Sequence, residues 1–178
     1  QMSGIKNLSN AIRNAINSLN ANRERDAVQA ASNLYAQIQN RVIQRGETAG
    51  GGKFPPYSTR QIPKRFWYGK GRNSTANTRI RNAKGNLSYT DIRRFSNLQT
   101  RHRDFYFTGD MWRGTGVQVQ RRLLRSTVVR IAGRTPTAIY RLEKNSEREG
   151  RNILEPSQAE IDAVKRAYAA NRLKNLKF

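Results

Sequence analysis

Cysteine is absent from this 178-residue chain, which removes disulfides, thiol nucleophiles and the common structural zinc sites in one step. Histidine occurs once, at His102, so no two-histidine metal site can form within one chain. Acids are scarce as well: 12 Asp and Glu stand against 34 Lys and Arg, a formal net charge of +22. That excess goes far beyond what solubility needs, and its self-repulsion calls for a negative partner, either nucleic acid or an acidic protein surface. No apolar run approaches the roughly 20 residues that span a bilayer, and Gln1-Met2-Ser3-Gly4 lacks a basic segment followed by an apolar one. Neither a secretory signal nor a membrane span is expected, and Gln1 ahead of Met2 suggests that residue 1 is not a natural initiator. Apolar residues supply 36% and aromatic residues 8% of the chain, enough for one modest core.

What is present falls into an ordered sequence of patterns. Ile5, Leu8, Ile12, Ile16 and Leu19 recur at helical spacing and predict a short first helix. A second stripe, Ala27, Val28, Ala31, Leu34, Tyr35, Ile38 and Val42, predicts a longer helix that Gly46 stops. From Gly46 to about Arg103 the chain turns to Gly, Pro, Asn and Ser with scattered aromatics, which predicts a long loop or insertion. Alternation at Val117 and Val119, the run Thr127-Val128-Val129-Arg130-Ile131, and Thr137-Ala138-Ile139-Tyr140 predict a small antiparallel sheet. Ser157-Gln158-Ala159-Glu160 is a capping box that opens a last helix with Ile161, Val164 and Tyr168 on its apolar face. The expected fold is therefore α+β: two N-terminal helices, a small antiparallel sheet and a C-terminal helix in one domain, 1–178, with 46–103 as a basic insertion.

The candidate chemistry is thin. Gly50-Gly51-Gly52-Lys53 suggests a phosphate loop, but that pattern needs Gly where Glu47 stands and Ser or Thr where Phe54 stands. The triplet His102-Arg103-Asp104 lacks the other parts of a kinase site, and Glu143, Glu147 and Glu149 lie among Lys144, Arg148 and Arg151 as ordinary ion pairs do. No catalytic residue, metal ligand or cofactor is assigned.

The charge, by contrast, is concentrated. Lys53 to Arg103 holds thirteen basic residues and one acid, Asp91, a net of +12 and over half of the total. Here Phe54, Tyr57, Phe66, Trp67 and Tyr68 interleave with Lys53, Arg60, Lys64, Arg65, Lys70 and Arg72, and Arg79, Arg81, Arg93 and Arg94 follow. Such a mixture suits phosphate pairing and base stacking, and it equally suits a subunit interface anchored by aromatics and arginines. In either case the segment is expected to make contacts rather than core, and to be mobile in the isolated subunit.

Three stretches carry a resemblance. Phe107-Thr108-Gly109-Asp110-Met111-Trp112 resembles the Thr-Gly-x-Met turn of bacteriophage virion-morphogenesis and tail-completion proteins, and Arg151-Asn152-Ile153-Leu154 leading into the capped helix resembles their C-terminal segment. Phe54-Pro55-Pro56-Tyr57-Ser58 has the flavour of the family's loop; Ile153, where an aromatic is usual, and the long basic stretch from Lys64 are departures. The resemblance implies that Thr108, Gly109, Met111, Trp112, Arg151 and Leu154 are family positions. It also implies a structural, non-enzymatic neck protein, a ring of six or twelve copies of itself. That ring would join a portal or adaptor protein to tail proteins around genomic DNA in the channel, within the virion, after assembly in the host cytoplasm. A free nucleic-acid-binding protein using 53–103 is the main alternative; a phage-encoded nuclease ranks below it for want of an acid or histidine cluster.

Overall fold

A computed structural model describes residues 22–123 and 126–174. The first expected helix, Ile5 to Leu19, lies outside the described residues. The chain is α+β, built of helices and a two-stranded antiparallel hairpin. Helix α1 covers 22–39 and continues as a π-helical turn, Asn40–Arg45, before Gly46 ends it in the left-handed region at φ 64°. There follow a 3-10 turn, Lys64–Trp67, then α2 (Ser74–Asn82), α3 (Tyr89–Phe95), the single turn α4 (Asp110–Arg113), strands β1 (Thr115–Arg122) and β2 (Thr127–Gly133), α5 (Pro136–Glu149) and α6 (Gln158–Lys174). No helix among the described residues is long and apolar enough to cross a membrane.

These elements form two compact units. One comprises Ile38–Thr115 and Gly133–Ser157. It holds the buried apolar core: Ile38, Val42, Ile80, Ile92, Met111 and Ile153 are all nearly or fully inaccessible. The other takes in the chain up to Gln37, Gly116–Ala132 and the chain from Gln158 onward. In this second unit Leu123 and Ser126 exchange backbone hydrogen bonds across a two-residue connection, which makes β1 and β2 a hairpin and hence antiparallel. Burial alternates along β2 from Thr127 to Ile131, as expected for a strand with one covered face. Helix α6 starts at Gln158, directly after Ser157, where the capping-box spacing places it.

Two expectations are corrected. Thr137-Ala138-Ile139-Tyr140 is not a third strand but the first turn of α5. Thr135 caps that helix by accepting from the Ala138 amide, Pro136 sits at its first position, and Ala138 and Leu142, four residues apart, are its buried face. A local run of β-formers is thus overridden by a strong start signal and by the helix-forming residues after it.

Likewise, 46–103 is not a long loop apart from the core. Its Gly50-Gly51-Gly52 stretch is the exposed tip of a tight turn, with the Thr48 amide donating to Gly52 and Lys53 bonded to Glu47 and the Arg45 carbonyl. Beyond it, Ile80, Leu87 and Ile92 form a buried cluster backed by Trp67, Ala83, Phe95 and Phe107. Few as they are, nearly all the apolar residues of the segment face inward, and Asn73 and Ser88 cap α2 and α3. Ser88 and Asp91 form a reciprocal capping box, a signature present in the sequence as Ser-Tyr-Thr-Asp.

Candidate nucleic-acid interface

A polar hub inside the first unit fixes the basic segment. Arg93 is fully buried, and its Nη2 donates to both oxygens of Asp104 at 3.0 and 2.9 Å. Its Nη1 donates to the Tyr106 carbonyl and its Nε to the Gln99 carbonyl, each at 2.8 Å. The guanidinium also lies 4.0 Å from the centre of the Tyr57 ring. Tyr57 Oη donates to Asp104 Oδ1 at 2.7 Å and accepts from the Asp104 and Phe105 amides. Burial, with the Asp104 charge beside it, pushes the Tyr57 phenol well above its ordinary range, so it remains a neutral donor. Trp112 Nε1 donates to the Asp104 carbonyl at 3.2 Å and ties α4 to the same point. Phe105, next in the chain, is held at φ 54°, an uncommon conformation for so bulky a residue.

Of the positions that the resemblance singles out, Trp112 touches this hub. Gly109 sits at φ 81°, and a Cβ there would meet Arg113 Nη1 at 2.8 Å. Met111 and Trp112 are buried core residues. Thr108 donates to Asp110, and that bond, together with Arg113 and Arg141, holds the Asp110 carboxyl below its ordinary range. In the C-terminal stretch the buried residue is Ile153, while Leu154 is half-buried and Arg151 exposed.

The structure sorts the other predicted contact residues into three groups. Phe54, Tyr57 and Arg93 are core, and Trp67 is half-buried with its Nε1 bonded to the Leu87 carbonyl. Lys53, Lys64, Arg79 and Arg94 have specific local partners: Lys64 donates to the Arg81 and Ala83 carbonyls at the end of α2, Arg79 to Phe95 and Asn97, and Arg94 pairs with Asp91. The remainder, Arg60, Arg65, Phe66, Tyr68, Lys70, Arg72 and Arg81, are exposed, and none of these cations pairs with a carboxylate among the described residues. Phe66 and Tyr68 are 59% and 46% exposed, with the Arg65 guanidinium over the Phe66 ring.

No protein-family model, curated protein or solved structure matches the chain. What the segment can do rests on its own chemistry: exposed cations that no carboxylate among the described residues neutralises, and two exposed rings, groups able to pair with phosphate and to stack on bases.

His102, which its arginine neighbours would place on a solvated surface, is instead half-buried. Its Nε2 lies 3.0 Å from the Ile43 carbonyl and its ring occupies the place a Gly46 side chain would take. Asp104 stands in the sequence only as part of a chance triplet, yet it organises the hub. Its one sequence signal is scarcity, being one of two acids between Lys53 and Asp104.

Proposed function

We propose that this protein is a non-enzymatic structural subunit of a phage neck or tail-completion ring, joining the portal to the tail around the genome channel, with its unpaired cations directed at DNA. The observation that carries the reading is the set of exposed cations, Arg60, Arg65, Lys70, Arg72 and Arg81, that have no carboxylate partner among the described residues. Charges so placed attract a polyanion, which would release its counterions on meeting them. Two further features support assembly. Ile139 and Tyr140 on α5 are 42% and 61% exposed, and Leu123 and Val128 of the hairpin 56% and 38%. Apolar surface of this kind suits burial against a neighbouring copy, and copies that join through two different patches close into a ring when the rotation divides evenly.

The same cations also favour a second reading, a free nucleic-acid-binding protein, which needs no ring. Negative-stain imaging and sedimentation of the full chain, alone and with purified portal and tail components, separate the two. Rings, or monomers that assemble onto a neck component, are expected. Monomers that ignore both components yet shift duplex DNA in a salt-dependent way would overturn the ring and leave the second reading.

A further inference from the structure

We propose that a cleft in the first unit binds a nucleoside monophosphate group, its base against the rings of Tyr89 and Trp67 and its phosphate between Arg60 and Arg148. Here the polyanion reading of this face is deepened from general attraction to a defined pocket, and the inference rests on that reading but not on the ring.

Two adjoining cavities, about 590 and 260 Å³, share Tyr57, Tyr89, Arg103 and Arg148 in their walls. The larger falls within the range of small-ligand sites, roughly 300–1,000 Å³. Tyr89 stands at the centre of an aromatic group: its ring centre is 5.3 Å from Tyr57, 6.0 Å from Trp67 and 6.0 Å from Phe107. These rings are held in place from behind, Tyr57 by Asp104 and Trp67 by the Leu87 carbonyl, so a stacking surface exists before any ligand arrives. Burial pushes the Tyr89 phenol up, which keeps that ring neutral.

The charge in the walls is of one sign. Neither lining contains a carboxylate, while Arg60, Arg103 and Arg148 border the larger cavity. Arg103 is paired with the nearly buried Glu149, and Arg141 of the smaller cavity with Asp110. Arg60 and Arg148 are exposed and pair with no carboxylate among the described residues, so the uncompensated charge at the mouth is theirs. A flat ring to fill the gap beside Tyr89 and a dianion to bridge two guanidinium groups are the two parts of a nucleotide. The walls come from the 57–62 segment, the 3-10 turn, α3, Arg103 and the end of α5, and the backbone of Ile62 is already paired with Leu87.

The test titrates the full chain with AMP, adenosine, inorganic phosphate, a 5′-phosphorylated oligo(dA) and poly-glutamate, following tryptophan fluorescence, with Trp67→Phe identifying the reporter. AMP is expected to change the Trp67 signal saturably, and adenosine and phosphate to bind at least about tenfold more weakly, since each supplies half of the interactions. Arg60→Ser and Arg148→Ser should each weaken AMP about tenfold without lowering the melting temperature. Oligo(dA) binding more tightly than AMP would identify the ligand as a unit of a single strand; equal affinity would identify a free nucleotide. The proposal is overturned if no nucleotide gives a saturable response, if phosphate binds as well as AMP, or if poly-glutamate displaces AMP at comparable concentration. Salt-dependent duplex binding that survives in Arg148→Ser, whose cation is not among those assigned to DNA, would leave the function proposed above standing even where the cleft fails.

Discussion

Arg93 reaches Asp104 through a single nitrogen, Nη2, which donates to both carboxylate oxygens while neither side chain is open to solvent. A buried ion pair of this sort adds little net stability over well-packed apolar residues, yet removing one partner strands the other charge. Asp104→Asn or Arg93→Met should therefore cost about 3–5 kcal/mol in urea unfolding. Arg93→Lys should not rescue, because an ammonium cannot serve Asp104, Tyr106 and Gln99 together. Single variants within about 1 kcal/mol of the native chain would show that the hub does not hold the basic segment.

Trp112→Ala should cost about 3 kcal/mol or more, as the ring is 4% exposed. Trp112→Phe keeps most of the packing and removes the Nε1 bond to the Asp104 carbonyl, so a decrease nearer to about 1 kcal/mol is expected. Equal decreases in the two variants would assign the whole effect to the hydrogen bond.

The α3 capping box should make stability fall in acid. Burial pushes the Asp91 carboxyl up, but donation from the Ser88 amide and hydroxyl and from Gln61, with the Arg94 charge, outweighs it and leaves the group below its ordinary value. Since the folded value is depressed, the contribution is present above the unfolded value, about 3.9, and disappears as pH falls through the folded one. Asp91→Asn should flatten the acid limb of a melting-temperature profile. An unchanged limb would place the acid sensitivity elsewhere.

Serine at Arg65, Lys70, Arg72 and Arg81 should leave folding intact and reduce the salt slope of duplex binding by about 0.9 for each phosphate no longer neutralised. Lys64→Ser should behave differently, because its ammonium holds the last carbonyls of α2, a helix-end interaction of about 0.3–1 kcal/mol. If the four exposed replacements leave the slope and the yield of joined particles unchanged, the basic face is ordinary solvated surface.

Limited proteolysis of the isolated subunit should spare 74–96 and cut first at the exposed Gly50–Gly52 tip, in contrast to the mobile segment that composition alone suggests. Rapid cleavage inside α2 or α3 would contradict the buried cluster of Ile80, Leu87 and Ile92.

How far the sequence is legible depends on whether a signal is local. The stop of the first described helix at Gly46, the hairpin through Val117, Val119 and Thr127–Ile131, and the start of α6 after Ser157 all rest on periodicity or caps within a few residues, and all are found where expected. Helix α5 is equally legible at Thr135-Pro136, a start signal that the β-forming run after it obscures. The aromatic and basic residues of 53–103 cannot be sorted by any local rule. Tyr57 and Arg93 become core because Asp104, 47 and 11 residues away, receives them both, and no spacing records that pairing. Arg148 is exposed, and only the fold brings it beside Tyr89.

The Arg134 amide donates to the Gly114 carbonyl at 2.6 Å, so the chain leaves the first unit and returns to it at one place. The hairpin between them belongs to the other unit, where Arg122 pairs with Glu24 of α1. For a polymer, lengthening a segment whose ends are already tied adds only about 0.6 kcal/mol per doubling. With its ends so tied, the hairpin can change in length at small entropic cost to the unit that holds the Arg134–Gly114 bond.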